Sequence, residues 1–284
     1  KFSVILGTAT YVDSFKEKRR GLIHGLILPS LPLIPILLLI LQQPHYSAII
    51  LILMIYATML ICGGCGLRWM PPFLAVAVVG VVIFLNSQQN YVQKRLDGWT
   101  LFSYDTSTMT DQTKQSVYAI ASGGLFGLGI GNSRQKHQWL AEVANDFIFP
   151  VICEELGFIG AVVCLVLFAA LIVQGILIAM RAPDLFGSML GIGIMGQIAW
   201  QVFCNVGVVT NTIPNTGISL PFFSSGGTSL LMLLGEMGVM LSISRVGNAR
   251  IEERRRRKRE EFAKKLDGGT RRTTYRRRTT AHTI

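Results

Sequence analysis

The sequence predicts an all-α, polytopic membrane protein, and three observations support this fold class. Half of the 284 residues are apolar and only 15% are charged, whereas soluble domains carry about 25% charged residues. Long uncharged runs recur along the chain, each near the roughly 17–25 residues that cross a bilayer as a helix. Basic residues collect between these runs and in the tail. We therefore expect a helical bundle of six full transmembrane spans plus one partial span.

The spans follow one another in a simple order. The first apolar run, at 2–12, is too short to cross a bilayer, and the chain starts without a methionine, so we expect an N-terminally truncated fragment. Pro214, Gly217 and Pro221 interrupt the chain before the last span, which predicts a re-entrant, non-helical segment. The six full spans are expected at 22–42, 46–64, 70–87, 147–180, 185–211 and 224–244.

The distribution of basic residues predicts the orientation, because Lys and Arg in short loops stay cytoplasmic. The basic stretch 16–20, Arg68, Arg181 and the tail fall on one side if the spans alternate. The large loop 88–145 is then extracellular. We expect a transmembrane domain over 1–245 and a separate tail over 246–284.

The tail 246–284 holds 14 basic and five acidic residues, which is +9 of the formal +11 of the chain. This composition predicts a disordered cytoplasmic arm that is attracted to anionic membrane lipids. Nucleic-acid binding is the less favoured alternative.

Two short motifs do not predict a cofactor or metal. Cys62 and Cys65 form a C-x-x-C without further Cys or His nearby, so they indicate packing and not a zinc or redox site. The G-L-G-I-G at 127–131 follows no predicted strand, which excludes a dinucleotide-binding turn. The glycines of 122–136 instead indicate a membrane-interface loop with tight turns.

The outer loop is the one extramembrane segment large enough for an active site, since ordered loops of this length are usually functional. Its cations oppose the orientation rule, which indicates an anionic partner such as a lipid headgroup or a pyrophosphate. Ordinary surface charge is the alternative. The loop cations are Lys94, Arg95, Lys114, Arg134 and Lys136.

Asp146 stands where this loop enters an apolar run. It could cap a helix N-terminus, as Asp commonly does, or act as a general base. Glu154 and Glu155 lie about two turns further on, where a charge costs roughly 2.5–3.5 kcal/mol in the bilayer. Both side chains are therefore expected to point into the protein or into water, with Glu154 nearer the face of Asp146.

Polar residues also recur in the last two spans. Gln197, Gln201 and Asn205 repeat every four residues, so they form one stripe on a helix. Interhelical hydrogen bonding is the favoured explanation, and a cavity for a lipid substrate is the alternative. Glu236 in the last span is expected to pair between helices.

Three stretches carry a recognisable pattern, namely QSVYAIASGGLFGLGIGNSRQK at 115–136, NDFIFPVICEELGFIGA at 145–161 and NVGVVTNTIPNTGISLPFFSSGGTSLL at 205–231. They resemble the SEDS family (shape, elongation, division and sporulation), and are closest to its FtsW/SpoVE branch. The resemblance runs from Lys1 to about Arg245. Family members have ten transmembrane helices, so this chain would carry part of the fourth helix through the tenth.

The resemblance implies a peptidoglycan glycosyltransferase of the bacterial plasma membrane. Such enzymes polymerise lipid II, an undecaprenyl-pyrophosphate-linked disaccharide, together with a class B penicillin-binding transpeptidase and other division or elongation proteins. The family's essential acid lies in a D-F-I-F motif, and Asp146 occupies that position here. Asp146 would then be the general base, with Glu142 as an alternative farther into the loop.

The other candidate site residues come from the charge and spacing patterns above together with this resemblance. The sequence indicates no specific cofactor, and assistance by a divalent cation is left open. The lipid pyrophosphate would be bound by Arg95, Lys136, Arg134, Lys114 and Gln115. Cavity-lining or structural roles are expected for Glu142, Glu154, Glu155, Gln197, Gln201, Asn205, Ser224, Gly226 and Gly227.

Two other functions are compatible with the sequence. A flippase that carries the lipid-linked precursor outward would depend on polar residues throughout the membrane depth. A scaffold would hold the transpeptidase and division proteins. The outer position of the cations and glycines favours the enzyme.

Overall fold

The computed structural model describes residues 1–18, 21–43, 46–65, 110–133 and 145–280, with side chains as far as Glu260. Every regular element in these ranges is helical. A π-helical turn at Ile23–Ile27 leads into α2. The helices are α1 (Phe2–Ser14), α2 (Leu28–Ser30), α3 (Leu33–Leu41), α4 (Tyr46–Cys62), α5 (Asp111–Ser122), α6 (Ile148–Met180), α7 (Leu185–Val209) and α8 (Gly227–Thr280).

The predicted helical fold class is confirmed. Within the described residues, four helical segments are long and apolar enough to cross a membrane, namely Ile23–Leu41, Ile148–Met180, Leu185–Val209 and Gly227–Glu260. The helix Tyr46–Cys62 is apolar but has 17 residues. The expected span 70–87 lies outside the described residues, so the number of spans stays a prediction.

Helix α7 lies at the centre of the bundle, between α6 on one side and α1 and α4 on the other. Small residues allow these close approaches, as is typical of helices packed in membranes. A Cβ at Gly193 would lie 2.5 Å from Ile5 Cγ2 and 2.9 Å from Met59 Sδ. On the other side, a Cβ at Gly191 would lie 2.8 Å from Ala179 Cβ.

Helix α6 is interrupted at Gly157, whose φ of 70° and ψ of −169° are not helical. The interruption frees backbone groups, and the glycine-rich turn after α5 binds them. Leu128 N donates to Glu154 O at 2.9 Å, and Phe158 N donates to Gly124 O at 2.9 Å. The turn therefore satisfies the polar groups that the break would leave unpaired in an apolar bundle.

Glycine is required where this turn meets α6. A Cβ at Gly123 would lie 2.0 Å from Cys153 O, and one at Gly127 would lie 2.2 Å from Glu155 O. Four glycines of the stretch have positive φ, which confirms the predicted tight turns. They are Gly124, Gly127, Gly129 and Gly131.

Two hydrogen bonds show which residues lie at each end of the bundle. The turn that contains Asp146 and the segment after α7 share one end, since Asn205 near the end of α7 contacts Asp146. At the opposite end, Arg250 of α8 donates to Pro183 O. Helix α8 runs through the predicted domain boundary at 245 and on to Thr280. The disordered arm and its cytoplasmic location stay predictions.

We expect Gly157→Ala to destabilise the protein by at least about 2 kcal/mol, because the break requires a positive φ and tight packing. A Cβ at this position would lie 2.4 Å from Gly127 N. Thermal unfolding in detergent measures the effect. Gly235→Ala is the matched control, since no atom lies within 4 Å of a Cβ in the middle of α8. Equal melting temperatures for the two variants would contradict the role assigned to Gly157.

Candidate functional site

Asp146 lies in the turn that precedes α6. The helix begins at Ile148, and Phe147 occupies the N-cap position with φ −110° and ψ 28°. Asp146 is one residue earlier and is half-buried. Asp146 therefore precedes the position at which an aspartate commonly caps a helix.

The segment between α7 and α8 packs beside the Asp146 carboxylate. It runs without helix from 210 to 226 and buries Ile218 and Leu220. Gly217 adopts a φ of +64°, and a Cβ there would lie 3.2 Å from Asp146 Oδ2. The absence of a side chain at Gly217 thus leaves room for the carboxylate of Asp146.

Asn205 joins this segment to the turn before α6 through two hydrogen bonds. Its Nδ2 donates to Asp146 O at 2.8 Å and to Ile218 O at 2.7 Å. The side chain belongs to α7 and is 1% exposed. One buried amide therefore joins the residue that carries the carboxylate to the segment that packs against it.

Two serines add a second connection. Ser224 Oγ donates to Asn145 O at 2.6 Å, and Ser225 Oγ donates to Asn145 Oδ1 at 2.9 Å. Gly226 O then accepts the first helical hydrogen bond of α8, and Gly227 is the first residue of that helix. The structure thus brings Ser224 to the Asp146 turn, while Gly226 and Gly227 begin the last helix.

Helix α5 contacts the end of α7 and the segment that follows it, at the end of the bundle that contains Asp146. Asn215 Nδ2 donates to Gln112 Oε1 at 3.1 Å, and Ser116 Oγ donates to the carbonyl of the last residue of α7 at 2.7 Å. Lys114 and Gln115 are half-buried residues of this helix. Their element therefore contacts the segment that packs against Asp146.

Four predicted site residues lie outside the described residues. They are Arg95, Arg134, Lys136 and Glu142. Their pyrophosphate-binding or alternative base roles stay predictions.

Glu154 is fully buried and accepts a hydrogen bond from Ser133 Oγ at 2.5 Å. This contact ties α6 to the end of the glycine-rich stretch and supports a structural role. Glu155 is half-buried, and its Oε1 has no hydrogen-bond partner among the described residues. The main-chain carbonyls of both residues pair with the turn described above.

Gln197, a member of the polar stripe on α7, contacts α8. Gln197 Nε2 donates to both carboxylate oxygens of Glu236, at 3.1 and 2.9 Å. Gln197 and Glu236 are therefore hydrogen-bonded between α7 and α8. A cavity of about 330 Å³ lies here, lined by Gln197, Gln201, Glu236, Thr228 and Lys1 among others. The Oε1 atoms of both glutamines are buried without a hydrogen-bond partner among the described residues.

Sequence reasoning missed three contributors to this end of the protein. It identified Gly217 as a chain breaker but did not place it against Asp146, and it gave no role to Asn145 or Ser133. Clustered Asn, Ser and Gly around an acidic residue are the signal that could have suggested a polar junction. The partners themselves are distant in sequence, so the pattern alone does not pair them.

The fold and this site define a multi-pass helical membrane protein with a half-buried carboxylate at one end of an apolar bundle. The family model described as cell cycle protein, covering FtsW, RodA and SpoVE, matches residues 1–249. The chain therefore belongs to this family.

Named relatives agree with the family model. A stretch of 134 residues, 47% of this chain and 37% of the relative, is 54% identical to stage V sporulation protein E of Bacillus subtilis (strain 168). A longer match is 37% identical to the probable peptidoglycan glycosyltransferase FtsW of the same organism, over 86% of this chain and 62% of the relative. The chain thus spans less than two thirds of these relatives' length.

Solved structures share the fold. A chain from the study "Structural coordination of polymerization and crosslinking by a peptidoglycan synthase complex" matches with a TM-score of 0.66 and 25% identity. The match covers 86% of this chain and 68% of that one. The rod shape determining protein RodA of Thermus thermophilus matches with a TM-score of 0.58 and 25% identity, over 86% of this chain and 63% of RodA.

We expect Gln197→Leu to destabilise the protein by about 2–3 kcal/mol, because it removes the donor to the buried carboxylate of Glu236. The double variant with Glu236→Leu should be less destabilised than the two single variants combined, since no unpaired polar partner remains. Thermal unfolding of the four proteins in detergent gives the interaction free energy. Additive losses would contradict direct pairing.

Proposed function

We propose that this protein is a peptidoglycan glycosyltransferase that polymerises lipid II into glycan strands. The observation that carries the proposal is the position of Asp146. This carboxylate is half-buried at one end of the bundle, against a polar, non-helical segment. The names of the relatives, and the fold shared with a chain of a solved peptidoglycan synthase complex, support the same reaction.

Asp146 acts as the general base. A sugar hydroxyl of one lipid-linked disaccharide attacks the anomeric carbon of another, and its proton passes to the carboxylate. The new glycosidic bond forms as the bond to the lipid pyrophosphate breaks, and the pyrophosphate leaves with the bonding electrons. A positioned base contributes typically about 10²–10⁴ to the rate of such a step.

Cations near this end stabilise the leaving pyrophosphate. Lys114 supports this role, because it is half-buried on α5, the helix that also contacts Asn215. Arg95, Arg134 and Lys136 are assigned the same task from the sequence, with Gln115 as a neutral donor. Fixed positive groups stabilise negative charge that develops on a leaving group.

The proposed function also implies an orientation in the membrane and a protein partner. The Asp146 end faces the outside of the bacterial plasma membrane, and the basic tail lies in the cytoplasm. A class B penicillin-binding transpeptidase is the proposed partner, which the solved complex of polymerisation and crosslinking supports. Membrane lipids surround the apolar faces of the helices.

A flippase remains the second candidate, because a polar cavity lies within the bundle beside Gln197, Gln201 and Glu236. Two of these side chains are already hydrogen-bonded to each other. Glu154, the other buried acid that a flippase would use, is bound to Ser133. These pairings favour structural roles for the buried acids and leave Asp146 as the better candidate for chemistry.

We expect Asp146→Asn to lower lipid II polymerisation by at least about 10²-fold, because the amide cannot accept the proton. The assay uses the full-length protein with its transpeptidase partner and purified lipid II.

Asp184→Asn is the control for this substitution. Asp184 is the N-cap residue of α7 at the opposite end of the bundle and accepts from Gly187 N at 2.8 Å, so polymerisation should be unchanged. Near-normal synthesis by folded Asp146→Asn protein would reject the proposed function.

We expect Lys114→Ala to lower the polymerisation rate about tenfold or more, because a cation that stabilises the leaving pyrophosphate is lost. The same lipid II assay measures the rate. Lys16→Ala is the control, since Lys16 is exposed and pairs with Asp13 at 2.7 Å in a separate turn. Equal rates for the two variants would show that Lys114 is an ordinary surface charge and does not stabilise the leaving pyrophosphate.

A further inference from the structure

We infer that Asn205 is a positioning residue for Asp146, and that Gly217 keeps the space in which the Asp146 carboxylate sits. The inference rests on the proposed function, because it concerns how the general base is held. It adds a second part to the site, namely a buried amide on α7 that acts on the base through the main chain.

The geometry requires a side chain with two N–H donors. Asn205 Nδ2 lies 2.8 Å from Asp146 O and 2.7 Å from Ile218 O, and both carbonyls are acceptors only. A primary amide supplies both hydrogens from one nitrogen. An aspartate of the same shape would present oxygen to both carbonyls and repel them.

One of these hydrogen bonds fixes the main chain of Asp146, and the other fixes the segment that packs against its carboxylate. Asp146 O belongs to the residue that carries the base, so its hydrogen bond fixes the peptide that follows the Asp146 Cα. Ile218 follows Gly217, whose Cβ, if present, would lie 3.2 Å from Asp146 Oδ2. Asn205 is therefore one of the contacts that set the distance between the base and the segment that packs against it.

The fold has other anchors at this end. Ser224 Oγ donates to Asn145 O at 2.6 Å, and Ser225 Oγ donates to Asn145 Oδ1 at 2.9 Å. Loss of the Asn205 donors thus leaves the two segments attached. The expected consequence is a local shift of Asp146, and a misplacement of about 1 Å can lower a rate roughly 10²-fold.

Asn205→Asp tests the donors with almost no change in shape. We expect kcat for lipid II polymerisation to fall about 10²-fold while KM changes less than about twofold, because proton transfer depends on position more steeply than binding does. Transpeptidase binding and the melting temperature are measured on the same samples. A residue needed only for folding would lower the amount of active protein and partner binding together with activity.

Asn132→Asp is the matched control. Asn132 Nδ2 also donates to a main-chain carbonyl, Leu128 O at 3.2 Å, but it is exposed on the glycine-rich turn. Its kcat should equal that of the unsubstituted protein.

Gly217→Ala keeps the test decisive if Asn205→Asp fails to fold. The added Cβ would crowd Asp146 Oδ2, so we expect kcat to fall at least about tenfold. Gly124→Ala is its control, because Gly124 has a similar φ of +54° and no atom within 4 Å of a Cβ. Both alanines carry the same kind of backbone strain, and only the one at 217 contacts the base.

The outcomes separate the positioning role from the proposed function. If Asp146→Asn is inactive while folded Asn205→Asp or Gly217→Ala keeps a normal kcat, the positioning role is wrong and the proposed function stands. If Asp146→Asn itself polymerises normally, the proposed function is wrong and the positioning role falls with it.

Discussion

Each break in a helix inside an apolar bundle requires partners for the N–H and C=O groups that it exposes. This constraint shapes the protein at two places. At Gly157, the glycine-rich turn pairs with the carbonyls and amides freed by α6. At the turn before α6, Asn205 and Ser224 pair with the carbonyls of Asp146 and Asn145. Irregular backbone is thus held by specific hydrogen bonds within the chain.

The candidate site lies at the second of these places, the turn before α6. A carboxylate at the bilayer centre would be costly, and one in open water would be mobile and weakly directed. Asp146 avoids both extremes, because it is half-buried at a helix start and its main chain is fixed by a buried amide. Such a position suits a group that receives a proton from a bound hydroxyl.

Other polar side chains of the described residues join neighbouring elements of the bundle. Gln197 binds Glu236 between α7 and α8, and Ser133 binds Glu154 beside the break in α6. Trp200 Nε1 donates to Thr58 Oγ1 at 2.9 Å between α7 and α4. Hydrogen bonds of this kind fix helix register where apolar packing alone has little directionality.

The features that could be predicted from sequence are those encoded in neighbouring residues. Apolar runs predicted the helices, and a spacing of four predicted that Gln197 belongs to a polar stripe. The contacts of the site are different, because the two residues joined by the Asn205–Asp146 bond are 59 positions apart. The partnership of Gly217 with Asp146 depends likewise on how α6 and α7 pack, which no local pattern encodes.

A structure of the full-length protein with bound lipid II and an unreactive analogue of the growing strand tests the central claim most directly. We predict that the attacking sugar hydroxyl lies about 3 Å from a carboxylate oxygen of Asp146, which is hydrogen-bond distance for proton transfer. We also predict that Asn205 still binds Asp146 O in that complex. A hydroxyl bound at another acid, or an Asp146 carboxylate turned toward lipid, would contradict the assignment of Asp146 as the base.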